Sequence, residues 1–232
     1  MKIPVLDSGY VQLVETWGSE ERIIEAARMS TGKGFNGWGE DGGPPGDEKL
    51  LRFLYENKHA TPFEMAGLII EVKAPIFVFR EWHRHRTQSY NEMSARYTPM
   101  PDENYMPEVE RCLIVSTKNK QAGAAAGAEE VNPEAAASWL DDLQALYDQA
   151  EAVYQKGLRI GIPKEIARLP VPVARYSKMR ASANLRNWLQ FLTLRMHPAA
   201  QREIQSYARA VGHLVLENFP RTWELFCEGK GR

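Results

Sequence analysis

Cysteine is nearly missing from this sequence of 232 residues. Cys112 and Cys227 stand far apart without paired-ligand spacing, so neither a disulfide framework nor a zinc site is indicated. Net charge is missing too. Against 30 acidic side chains there are 29 basic ones, a formal charge of -1 that argues against a general binder of polyanions. No apolar run approaches membrane-spanning length, and the opening MKIPVLDSGYVQL has neither the basic nor the long apolar region of a secretory signal. These gaps lead to the expectation of a cytoplasmic protein in a reducing compartment, without membrane or nucleic-acid partners. A chain of this length can bury a substantial core, as one domain or as two small ones.

What is present is concentrated in one stretch, Glu81 to Tyr97, EWHRHRTQSYNEMSARY. Arg84, His85 and Arg86 stand in a row, followed by Gln88, Ser89, Asn91, Glu92, Ser94 and Arg96, with little apolar content between them. An amphipathic helix would interleave an apolar residue every three or four positions. Guanidinium forks match phosphate oxygens, and hydroxyls with backbone amides complete such sites. The pattern therefore points to a nucleotide or a phosphorylated cofactor. Two competing readings use the same residues. One is a solvated basic turn. The other is a nucleic-acid module that stacks bases on Trp82, Tyr90 and Tyr97, against which stands a chain that is not basic elsewhere. His83 and His85, two apart, would face different sides of a helix, and with His59 they lack the Cys or carboxylate that completes a tetrahedral set, so no metal is expected.

Periodicity frames this stretch. Val11 to Trp17 reads as a strand. Ser19 caps a helix running through Arg28 and ending near Ser30. The Gly- and Pro-dense residues 31–46 form a surface loop, and Asp47 opens a helix to about Lys58. Pro62 holds Thr61 in an extended turn. Leu68 to Lys73 alternates as a strand, and Pro75 starts the helix that leads into the central stretch. Arg111 to Ser116 reads as a short strand, and 118–130 is Ala- and Gly-rich. Asn132-Pro133 opens the longest helix, whose stripe Trp139, Leu143, Leu146, Ala150 and Val153 is core or a subunit contact. A brief helix spans Ile162 to Leu169, and a strand Val171 to Ala183. Asn184 caps a helix carrying Arg186, Gln190 and Arg195, and Pro198 opens the last helix.

Arg84-His85-Arg86, seven residues, then Ser94 resembles the signature of the flavin-dependent thymidylate synthases, and the likeness extends through Asn91, Glu92, Arg96 and Tyr97. His59-x-Thr61-Pro62-Phe63-Glu64, the Pro163-x-Glu165-x-Ala167-Arg168 segment and Asn184-Leu185-Arg186 are also similar to that family's motifs. The resemblance runs from near the N-terminus to the final helix. It departs at Glu81, where Gln is common, and at Ala199, where many members have His.

The resemblance implies an α+β single domain, helices packed on a mainly antiparallel sheet, with 31–46 and 118–130 as surface insertions. It implies that dUMP becomes dTMP with methylene-tetrahydrofolate as carbon donor and reduced FAD as hydride donor, NADPH restoring the flavin. No protein nucleophile is implied: neither cysteine lies in a motif, and Ser94 reads as a ligand because no base adjoins it. Ser30, Thr61, Arg84, His85, Arg86, Asn91, Glu92, Asn184, Arg186 and Gln190 would bind FAD. Glu81, Trp82, His83, Arg84, Glu92, Met93, Ser94, Ala95, Arg96, Arg168 and Arg195 would bind dUMP, with Arg195 stabilising charge on the ring. A homotetramer with shared active sites is implied as well. A flavoprotein reductase without methyl transfer remains the alternative.

Overall fold

Alternation of buried and partly exposed residues makes Gly67–Pro75 the middle strand of a five-stranded sheet. Leu68, Ile70, Val72 and Ala74 have no exposed surface, and the residues between them take the other face. In this computed structural model, which describes residues 1–39, 46–125 and 130–230, the strands are β1 (Lys2–Val5), β2 (Gly9–Trp17), β3 (Gly67–Pro75), β4 (Ser89–Glu92) and β5 (Tyr176–Asn184). Their order is β1-β2-β3-β5-β4, antiparallel throughout. Gly9 sits where a Cβ would stand 2.0 Å from the Tyr207 hydroxyl, which donates to the Lys73 carbonyl at 2.8 Å.

Helices α1 (Glu20–Arg28), α2 (Asp47–Glu56), α3 (Ile76–Trp82), α4 (Val109–Cys112), α5 (Pro133–Arg159), α6 (Lys164–Ala167), α7 (Leu185–Arg195), α8 (Arg202–Asn218) and α9 (Pro220–Lys230) surround it. The expected caps form: Ser19, Asn132 and Asn184 each accept from a backbone N–H three residues on. α7 and α8 lie against the sheet, bringing Trp188, Phe191, Tyr207 and Val211 into the core.

Several expectations need correction. Arg111 to Ser116 is no strand: α4 ends at Cys112, and its last turn leads into a loop closed by Ser116 N donating to Ala122 O at 2.8 Å. Thr61 opens a 3-10 turn over Thr61–Met65, because Pro62 occupies a first-turn position that needs no N–H donor. β5 starts at Tyr176 and not at Val171. The helix expected from Pro198 starts at Arg202, and α9 follows it. Strands β1 and β4 were not expected; each spans four residues and draws its stability from pairing with a longer neighbour. Parts of the two expected insertions, 40–45 and 126–129, lie outside the described residues. The described part of the first is tied down, with Trp38 donating to Glu21 at 2.9 Å and Asn36 N to the buried Asp47 at 2.7 Å.

Three further features matter below. Arg175 is wholly buried, donating to Pro101 O at 2.8 Å and Glu151 at 2.7 Å and lying 3.1 Å from Asp102, so it fastens α5 to the segment beneath it. On α5 the inward residues are Ala136, Tyr147 and Tyr154; the expected stripe is not core, with Trp139 53% and Leu146 57% exposed. Just after α2, Lys58 adopts φ +57, left-handed backbone that costs a non-glycine residue about 1 kcal/mol.

Candidate active site

The Arg-His-Arg stretch is a tight turn between α3 and β4, held from within. Trp82 stacks on Phe191 at 4.6 Å and donates from its indole to Gln88 at 3.0 Å. The Tyr90 hydroxyl bridges the carbonyls of Trp82 and His85, at 3.1 and 2.7 Å, and Asn187 of α7 donates to Thr87 O at 3.0 Å. Burial alternates accordingly: Trp82, His85 and Gln88 point inward, while Arg84 and Arg86 are exposed. Trp82, expected among the substrate contacts, has no exposed surface.

Arg195, at the end of α7, closes the turn from the other side. Its Nε donates to His85 Nε2 at 2.8 Å, its Nη1 to the Glu81 carboxylate at 3.0 Å and its Nη2 to the Glu81 carbonyl at 2.8 Å. An acceptor at Nε2 places the His85 proton on Nδ1. Burial, and secondarily the Arg195 charge, pushes the His85 pKa down to about 4, so the ring is neutral at ordinary pH. Burial raises the Glu81 carboxyl; Arg195 opposes the rise and Glu203 adds to it.

Glu81 and Arg195 open onto a cavity of about 1090 Å³ whose other walls include Lys118, Asn119, Ala199 and Arg202. Asn119 Nδ2 donates to Ala199 O at 3.1 Å, so part of the Ala-rich segment forms a wall of this cavity. Composition marked that segment as low complexity, and nothing in its local pattern pointed to Lys118 or Asn119 as lining a cavity with Arg195.

The remaining expected residues gather in three groups. The Ser94 carbonyl accepts from Tyr97 N at 3.0 Å and from Thr98 N at 3.2 Å, making a turn. α6 braces it: Arg96 pairs with Glu165 at 3.1 Å, Lys164 donates to Tyr97 O at 3.0 Å, and the exposed Arg168 follows directly. Met93 and Ala95 belong to the same turn. Beside it His83 Nε2 lies 3.2 Å from Met179 Sδ and 3.9 Å from Glu92, with Asn91 exposed on β4. Ser94 Oγ accepts from Arg96 N at 3.3 Å, its only hydrogen bond among the described residues. Second, Thr61 shares a cavity of about 350 Å³ with His59 and Ala27, and the exposed Ser30, in the 3-10 turn after α1, donates to Ala27 O at 3.4 Å. Third, Arg186 and Gln190 on α7 line a cavity of about 600 Å³, Arg186 pairing with Glu64, while the Asn184 side chain is engaged in the α7 cap.

A guanidinium held by a carboxylate and a neutral imidazole at a deep cavity, with further arginines ranged around it, defines an enzyme of nucleotide chemistry. The chain belongs to the family described as thymidylate synthase complementing protein, which it matches over residues 12–221. It is 40% identical to a flavin-dependent thymidylate synthase of Thermus thermophilus over 98% of this chain and 79% of the relative. To that of Thermosipho melanesiensis it is 38% identical, covering 98% and 94%. Among solved structures, a UMP/dUMP methylase, PolB, from Streptomyces cacaoi bound with 5-Br dUMP superposes with TM-score 0.81, at 30% identity and 97% coverage of both chains.

Proposed function

We propose that this chain is a flavin-dependent thymidylate synthase, methylating dUMP to dTMP with FAD as the bound cofactor and methylene-tetrahydrofolate and NADPH as co-substrates. The observation that carries the reading is Arg195, fixed by Glu81 and a neutral His85 at the mouth of the large cavity. The residues suit a flavin nucleotide. The guanidinium groups of Arg84 and Arg86 are exposed and make no hydrogen bond or ion pair among the described residues. These are the donors that a phosphate-bearing ring system would satisfy.

When bound, FAD supplies the hydride; the chain's residues bind, orient and polarise. Arg84, His85 and Arg86 hold the flavin from the turn, with Ser30, Thr61, Asn91, Glu92, Asn184, Arg186 and Gln190 as its further contacts. Ser94, Arg96 and Arg168, with the backbone of Met93 and Ala95, take the dUMP phosphate. Glu81 near the end of α3 and His83 just after it complete the substrate side, with the buried Trp82 supporting them from behind. Arg195 stabilises the negative charge that develops on the pyrimidine, and its three existing hydrogen bonds mean that it need not reorganise to do so. Incubation with dUMP, methylene-tetrahydrofolate and NADPH tests the reading. Thymidylate should accumulate while the oxidised-flavin absorption bleaches; NADPH consumption without thymidylate would leave a flavin reductase instead.

A homotetramer with shared sites and a cytoplasmic location complete the proposal. Cys112 and Cys227 form no disulfide among the described residues, which suits a reducing compartment. Trp139, Leu143, Leu146, Ala150 and Val153 recur at alternating spacings of four and three along α5, the seam of a helix that packs on another helix. α5 leads directly to α6 and Arg168, so its partner would lie close to the phosphate-binding turn. Leu146→Glu should lower the mass measured by light scattering at least about twofold, since a charge in an apolar seam is strongly disfavoured. An unchanged mass would remove this seam from the assembly.

A further inference from the structure

We propose that Lys58 is a ligand of the cofactor's diphosphate, and that α9 forms a wall of the pocket for the adenosine half. This rests on the reading above that Arg186 and Gln190 belong to the FAD site. Lys58 stands with those two residues around the cavity of about 600 Å³, where Tyr55 of α2, Leu189 of α7 and Leu225 of α9 supply the apolar surface.

Three observations single out the lysine. The cavity's other cations are already engaged: Arg52 grips Glu228 at 2.5 and 3.0 Å and lies 3.7 Å from Glu56, while Arg186 pairs with Glu64. The Lys58 ammonium makes no hydrogen bond or ion pair among the described residues, so it is the uncompensated positive charge at the rim. The backbone supplies the third. With φ at +57, Lys58 takes the conformation that normally falls to glycine where a helix ends, and the helix does end here, with His59 N donating to Leu54 O at 2.8 Å. A glycine would terminate α2 without strain. What the lysine adds is an exposed cation among the lining residues, and strained residues of this kind cluster at ligand clamps.

Diphosphate is the ligand chemistry that fits. Its charge would be met by the free Lys58 ammonium, with Arg186 in the same lining, beside an apolar surface that accepts a flat heterocycle. α9 lies almost wholly beyond residue 221, where the family match ends, and the Arg52–Glu228 pair latches it over the cavity.

The test is titration of the apoprotein with FAD, followed by flavin fluorescence, and with ADP as competitor, at low and high salt. Lys58→Gly should raise both dissociation constants about tenfold at low salt and flatten their salt dependence, as loss of a charge-assisted contact requires. The unfolding midpoint of the apoprotein should hold or rise, because glycine relieves the backbone. Lys58→Gln, which keeps the strain and removes the charge, should weaken binding equally, and Lys58→Arg should restore most of it. Constants within about twofold of wild type for Lys58→Gly, or a loss for FAD that ADP does not share, would overturn the assignment. Arg186→Ala separates the two levels. If it weakens FAD binding and Lys58→Gly does not, only Lys58 is wrongly assigned; if neither does, the cofactor reading of this cavity falls with it.

Discussion

Arg195→Ala should retain bound flavin but form thymidylate roughly 10²–10³-fold more slowly in kcat, the usual loss when one preorganised donor to a developing oxyanion is removed. The geometry makes the effect specific. Arg195 spends its Nε on His85 and both terminal nitrogens on Glu81, so its position is fixed before any ligand arrives. The variant leaves two signatures beside the rate. The His85 pKa should move up from about 4, because the Arg195 charge is one of the two causes holding it down, although burial, the larger cause, remains. The Glu81 carboxyl should rise further, because the one cation that opposes its burial is gone. Rates within a few-fold of wild type, or a His85 titration that does not shift in NMR spectra, would remove Arg195 from this role.

The second large effect is on stability. Arg175→Ala should cost about 3–5 kcal/mol, the range for breaking a buried pair and leaving its partner unmatched. Arg175 has no exposed surface, and its truncation strands Glu151 on α5, whose side chain is only 14% exposed, together with the Pro101 carbonyl. At about 2–4 °C of midpoint per kcal/mol for a chain of this size, the melting temperature should drop by roughly 6–20 °C. A shift of a degree or two would mean that water replaces the guanidinium without difficulty. Flavin affinity measured well below the midpoint should follow wild type, since Arg175 touches none of the cofactor groups.

Much of this molecule could be read without coordinates, for identifiable reasons. Leu68, Ile70 and Val72 alternate strictly because β3 has a strand on each side and a core beneath it, and three capping side chains announced the helices that they start. The arginine-rich turn stood out because no packing requirement explains so many polar residues together. What escaped was decided by tertiary context. β4 has no alternation to display, since Ser89 to Glu92 is ordered by pairing with Ser182 to Met179. Arg111 to Ser116 has strand-forming residues, yet Arg111 is held by two hydrogen bonds to Glu203, 92 positions away, and the chain turns. Lys118 and Asn119 line a cavity with Arg195 because the loop folds back onto Ala199. Trp139 and Leu146 were open to two interpretations until the opposite face of α5 proved to be the buried one.

Helix α7 has a consequence of its own. Arg186 near its start and Arg195 at its end belong to different cavities, and nine residues of helical rise set them about 14 Å apart. With Arg186 assigned to the cofactor and Arg195 to the pyrimidine, the helix would be a ruler laid between two ligands, its length fixing how far the anchor of one stands from the reacting ring of the other.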